Sequence, residues 1–141
     1  MDQCSFDVVI VGAGLSGIGA ACHLEKNNPD KKYLVLESRD RMGGTWDLFR
    51  YPGIRSDSDM HTLGYSFKPW AQQKAIADGS DILNYVRETA AEYGVDNYIR
   101  YGYTLIKASW ESGLARWELT ISRVDEEPLI VNCHFLYSCT G

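Results

Sequence analysis

The chain has 141 residues, 45% hydrophobic and 23% charged, a composition that fits a single globular domain and excludes a disordered or fibrous polypeptide. Its net charge of −5 argues against a nucleic-acid-binding surface, because surfaces that track phosphates gather Lys and Arg on one face. Cys4, Cys22, Cys133 and Cys139 form no C-x-x-C pair, so the expectation is reduced thiols in a cytoplasmic protein rather than a zinc site or a disulfide framework.

Phe6 to Val11 is a β-branched apolar run, the signature of a strand buried on both faces of a parallel sheet. Glycines follow, then a helix from Ser16 to Asn27 that can turn Leu15, Ile18, Ala20, Ala21 and Cys22 toward the sheet before Asn27-Asn28-Pro29-Asp30 stops it. The longest uncharged stretch, Val8 to Leu24, has Asp2 and Asp7 ahead of it and glycines within it. It reads as neither a signal peptide nor a membrane span. Tyr33 to Leu36 is a second buried strand ending in Glu37, which completes β-α-β.

Gly12-Ala-Gly14-Leu-Ser-Gly17 lies directly between that strand and helix, the context in which G-x-G-x-x-G signals a dinucleotide. Gly12 permits the tight turn, Gly14 lets backbone N–H groups approach a pyrophosphate, and Gly17 allows close helix–strand packing. Glu37 stands where a carboxylate accepts the hydroxyls of an adenosine ribose and repels a 2′-phosphate, favouring FAD or NAD over NADP at this site. The competing reading is a plain β-α turn with a solvated Glu. Arg41-Met-Gly43-Gly44-Thr45-Trp46 adds two glycines and an aromatic, which favours the longer ligand, FAD, although a simple turn accounts for the glycines as well.

From Ser38 to Trp70 the pattern is irregular, and loops of that length in compact domains are usually functional. Tyr51-Pro52-Gly53 predicts a type II turn with Pro at i+1 and Gly at i+2. Asp57-Ser-Asp59 lacks the further oxygen ligands a Ca²⁺ or Mg²⁺ site needs, and His23, His61 and His134 lack ligand spacing, so no metal is expected. Ser80 is expected to cap a helix over 81–93, with Ile82, Val86, Ala90 and Tyr93 on one face and Gly94 at C′. Then come strands at 103–110, 117–124 and 129–133, read as a three-stranded antiparallel meander with a Ser112-Gly113 turn and an acidic turn at Asp125-Glu-Glu-Pro128. Phe135 to Cys139 is expected to return to the parallel sheet as a separate strand. The fold class is therefore α/β, a Rossmann-type parallel sheet with an inserted meander, in one domain over 1–141.

The run from Gly43 to Met60, GGTWDLFRYPGIRSDSDM, with Tyr65-Ser-Phe67 behind it, resembles class B flavin monooxygenases, in particular the Baeyer–Villiger branch that includes the ethionamide-activating monooxygenase. That run is far more specific than the glycine motif. The resemblance extends over Phe6 to Gly141 and implies that Gly12, Gly14, Ser16 and Gly17 face the FAD pyrophosphate while Glu37 holds the adenosine ribose. It also implies that Gly44, Thr45, Trp46 and Asp47 line the ribityl and flavin side, that Leu105 meets the adenine through its backbone, and that Arg55 and Ser56 lie toward the nicotinamide cofactor. Asp57 is the implied catalytic residue, near the reactive edge of the flavin. In such enzymes NADPH reduces the flavin, O₂ adds to give a peroxyflavin, and oxygen passes to a small-molecule ketone or sulfide.

The second glycine-rich motif, the fingerprint ending in His and Trp, and the flavin-side arginine of that family are not among these 141 residues. The resemblance thus implies the N-terminal FAD-binding part of a longer enzyme with two dinucleotide domains, incompetent for turnover alone and self-associating through the surface its missing half would cover. The alternatives are a stand-alone flavin-binding module and an NAD-dependent oxidoreductase domain.

Overall fold

The structure, a computed structural model, describes residues 4–141. Its first unit is the expected one: β1 (Cys4–Val11), α1 (Leu15–Asn27) and β2 (Tyr33–Glu37), with β1 and β2 parallel. β2 is buried at all five positions, as a strand covered on both faces must be. Alternation along the strands divides the interior in two. Ile10, Tyr33 and Val35 pack with α1 and with α4 (Gly79–Glu92), while Val9, Leu34 and Leu36 pack on the opposite face with Leu119, Ile121 and Val131.

The sheet has six strands in the order β3-β2-β1-β6-β5-β4, where β3 is Ile99–Tyr101, β4 is Tyr103–Glu111, β5 is Arg116–Arg123 and β6 is Glu126–Ser138. The two strands expected at 129–133 and 135–139 are not separate. They form one 13-residue β6 that pairs antiparallel with β5 and parallel with β1. The meander is thus continuous with the parallel sheet. Register shifts at Leu105/Lys107 and Ile121/Arg123 add local twist, and β4 returns against β2.

Two further corrections concern a turn and a helix cap. The β5–β6 turn is Val124-Asp125, with Asp125 left-handed (φ 56°), a conformation Asp tolerates; Glu126 to Pro128 already lie in β6. Ser80 does not cap α4. Asp78 occupies the N-cap position without a side-chain cap bond, because Gly79 N–H donates to Ile54 C=O (2.9 Å) and the Asp78 carboxylate takes Lys74 Nζ (2.8 Å). At the other end of α4, left-handed Gly94 (φ 71°) follows the C-cap Tyr93 as expected. Within 38–70 there are two single-turn helices, α2 (Thr45–Leu48) and α3 (Met60–Leu63). Among the described residues no helix is long and apolar enough to cross a membrane.

Candidate dinucleotide site

The β1–α1 turn is held from three sides. Gly12 N–H donates to Leu36 C=O (2.7 Å), Gly43 N–H to Ala13 C=O (2.9 Å), and Cys139 N–H to Val11 C=O (2.7 Å). Gly12 has φ 107°, and a Cβ there would overlap the Cys139 carbonyl oxygen; a Cβ on Gly17 would overlap the Gly12 carbonyl oxygen. Gly17 is therefore a packing glycine beneath the turn, the role its place in the motif suggests. Gly14 is the N-cap of α1, with no side-chain cap and no acidic residue in the first turn. Such an end presents backbone N–H groups and positive potential to an anion.

α1 is braced from behind. Tyr65 Oη donates to Leu15 C=O (2.5 Å), its ring lies where a Gly19 Cβ would come within 2.8 Å, and its own N–H donates to Tyr85 Oη (2.8 Å). Burial raises the Tyr65 hydroxyl pKa, with Cys22 and Tyr85 adding to the shift, so the phenol stays a donor.

Glu37, at the end of β2 and 7% exposed, accepts Ala13 N–H through Oε2 and Arg39 N–H through Oε1, both at 2.9 Å. The second glycine pair folds back onto the first. A Cβ on Gly44 (φ 53°) would stand 3.0 Å from Gly14 Cα, while one on Gly43 (φ 121°) would meet the Leu83 and Asp47 side chains. Between these segments and β4 opens a cleft of about 520 Å³, within the range of small-molecule sites. Of the residues expected at a cofactor, Gly12, Gly14, Ser16, Glu37, Gly44, Thr45, Trp46 and Leu105 line it.

Gly17, Asp47, Arg55, Ser56 and Asp57 do not line it. Asp47 is 1% exposed and lies under four guanidinium groups: Arg39 (2.8 Å), Arg50 (2.6 Å), Arg87 (3.1 Å) and Arg41 (3.7 Å). Burial alone would raise its pKa, but hydrogen bonds from Arg50 and Arg39, with the charges of Arg41 and Arg50, outweigh that and hold the carboxyl below the usual carboxylate range. Ser56 is buried and joined to Ala77 in both directions, through its own N–H (2.9 Å) and through Oγ accepting Ala77 N–H (3.1 Å). Arg55 and Asp57 are exposed. Asp59 caps α3 by accepting Thr62 N–H (3.0 Å). The expected Pro52-Gly53 turn is present, with Ile54 N–H donating to Tyr51 C=O (3.2 Å) and Gly53 at φ 82°.

Sequence reasoning missed Arg39, Tyr103, Thr104 and Thr140 in the cleft wall. A signal existed only for Arg39, two residues beyond the ribose-type acid. The others arrive from β4 and from the residues just after β6, whose placement depends on sheet order.

The fold is that of a Rossmann-like α/β domain, and the profile of the NAD(P)-binding Rossmann-like domain family matches residues 10–75. The chain is similar in sequence to proteins named FAD-containing monooxygenases, in line with the resemblance of the 43–60 run. It is 54% identical over 139 residues to the putative FAD-containing monooxygenase MymA of Mycobacterium tuberculosis, covering 96% of this chain and 28% of that protein. It is also 54% identical over 135 residues to the FAD-containing monooxygenase EthA of M. tuberculosis, covering 96% and 27%. Among solved structures, OTEMO in complex with FAD and NADP superposes with a TM-score of 0.82 at 33% identity, over 96% of this chain and 26% of that one. The chain thus spans little more than a quarter of the length of these relatives.

Proposed function

We propose that this chain binds FAD in an extended pose and forms the FAD-binding domain of a longer NADPH- and O₂-dependent monooxygenase that oxygenates small-molecule ketones or sulfides. The observation that carries the reading is the contact of Gly44 with Gly14 beneath the uncapped start of α1, in a cleft lined by both Glu37 and Trp46. The resulting groove fits a long ligand: nucleoside at Glu37, diphosphate at the glycines, and ring system beyond Thr45. A carboxylate offers about four acceptor positions; Glu37 uses two on the Ala13 and Arg39 amides, and the long bond from the rotatable Ser38 hydroxyl (3.5 Å) can yield to a ligand, which leaves capacity for both ribose hydroxyls.

In this reading Gly12, Gly14 and Ser16 border the diphosphate, Gly44, Thr45 and Trp46 the ribityl chain and ring, and Leu105 the adenine. The redox chemistry is FAD's own; the residues of this chain bind, orient and partly desolvate it. Asp57, with Arg55 and Ser56, is assigned to the reacting side and the nicotinamide cofactor. That assignment rests on the resemblance of the 43–60 run, and Asp47 is reassigned to shaping the cleft wall. The four cysteines are free thiols, in keeping with a cytoplasmic protein. Phe135 and Tyr137 on β6 are 70% and 54% exposed beside a groove along α1, which supports self-association.

The deciding experiment is titration of the chain with FAD, read by flavin fluorescence, for the wild type and for Gly14→Val, whose side chain would enter the contact with Gly44. Saturable binding abolished in a still-folded variant is expected. No FAD binding by the wild type, or binding of NAD in its place, would overturn the reading. Concentration-dependent light scattering tests the self-association.

A further inference from the structure

We propose that Arg39 is the diphosphate-binding cation of this cleft, held in place by Asp47. The proposal rests on the dinucleotide reading above. Among the described residues Glu37 and Arg39 bear the only charged side chains lining the cleft, and a dinucleotide brings two negative charges to a site where Glu37 already supplies one. Arg39 begins at the nucleoside end, where its N–H donates to Glu37 Oε1 (2.9 Å). Its guanidinium reaches the other glycine pair, with Nη1 3.5 Å from Gly44 C=O and Nη2 2.8 Å from Asp47 Oδ2. Gly44 is the residue that abuts Gly14, so the guanidinium stands beside the turn whose N–H groups face the ligand.

Pairing with Asp47 does not exhaust Arg39. The buried carboxylate is shared with Arg50, Arg87 and Arg41, so one negative charge faces four positive ones, and of the four only Arg39 lines the cleft. Its side chain is 30% exposed and keeps N–H donors beyond the two in use. A guanidinium fork fixed in advance matches phosphate oxygens at little ordering cost, and an anion there relieves the repulsion among the arginines. Asp47 is then a positioning residue: it aims Arg39 without touching the ligand.

The test uses the whole chain with ADP and adenosine as probes, measured by competition against FAD fluorescence. Arg39→Gln is expected to weaken ADP by roughly ten- to a hundredfold while leaving adenosine within about twofold, and to flatten the salt dependence of ADP binding. Arg39→Lys, which keeps an ion pair available to Asp47 and so guards against misfolding, is expected to fall between. Glu37→Gln supplies the opposite pattern, weakening both probes alike. Equal loss of ADP and adenosine in both Arg39 variants, or no loss in either, would overturn the assignment. If the wild type binds neither FAD nor ADP, the dinucleotide reading itself fails and the role of Arg39 falls with it.

Discussion

Replacing Glu37 by Ala tests whether the carboxylate that closes β2 is structural as well as ligand-directed. It receives Ala13 N–H and Arg39 N–H, each at 2.9 Å, and hydrogen bonds to a charged acceptor contribute about 1.5–3 kcal/mol each. Ala13 is fully buried, so water cannot replace the first bond, whereas the half-buried Arg39 amide can be rehydrated in part. The expected destabilisation is therefore roughly 2–4 kcal/mol, a large share of the 5–15 kcal/mol or so available to a domain. Urea unfolding followed by tryptophan fluorescence reads it as a lower midpoint at unchanged slope, measured without ligand so that stability and binding are not confused. Glu37→Gln, whose single carbonyl oxygen can replace only one of the two bonds, should lie between. A midpoint for Glu37→Ala equal to the wild type would refute the reasoning and leave Glu37 a ligand residue alone.

Gly17→Ala would drive its Cβ into the Gly12 carbonyl oxygen, a backbone atom, and should cost at least about 2 kcal/mol; Gly53→Ala, in open space at φ 82°, should cost only about 1–2 kcal/mol, and thermal melts compare the two. Asp47→Asn removes a carboxyl whose folded pKa is depressed. Its stabilisation is present above the ordinary carboxylate pKa and lost as pH falls through the depressed one, so the variant should be less stable at neutral pH and show a shallower loss of stability at strongly acid pH, read by denaturation across pH. Burial, with the charges of Glu25 and Glu92, pushes the Cys22 thiol up to about 12, and burial pushes Cys133 up to about 11. At pH 8 iodoacetamide should therefore label exposed Cys4 while sparing both, as mass spectrometry of the native chain would record.

The β1-α1-β2 unit was legible because its signals are local: a β-branched run, glycines in fixed order, an apolar helix face and an acid at the strand end. The faces of α4 and β5 were legible for the same reason. What escaped depends on distant partners. Ile99-Arg100-Tyr101 is too short to announce a strand and becomes β3 only by pairing with Val35 to Glu37. Nothing in residues 129–138 says that one strand serves two neighbours, since that follows from β1 and β5 lying on either side of it. Asp47 likewise reads as a flavin-side residue, since nothing local shows that Arg87 arrives from α4 to pair with it. The cleft was half legible: its glycine floor came from a motif, while the walls from β4 and from the residues just after β6 required the sheet order.

The double allegiance of β6 bears on how the molecule comes into being. β1 pairs with β2, its near neighbour, and with β6, almost the whole length of the chain away. Long-range pairing must meet its loop-closure cost before it returns any stabilisation, so topologies of this kind fold slowly. During synthesis the first three elements therefore emerge with one flank of β1 bare, and the turn at Gly12 lacks the Cys139 strand end that ties it down. The motif most easily read from the sequence is among the last parts of the molecule to acquire its final geometry.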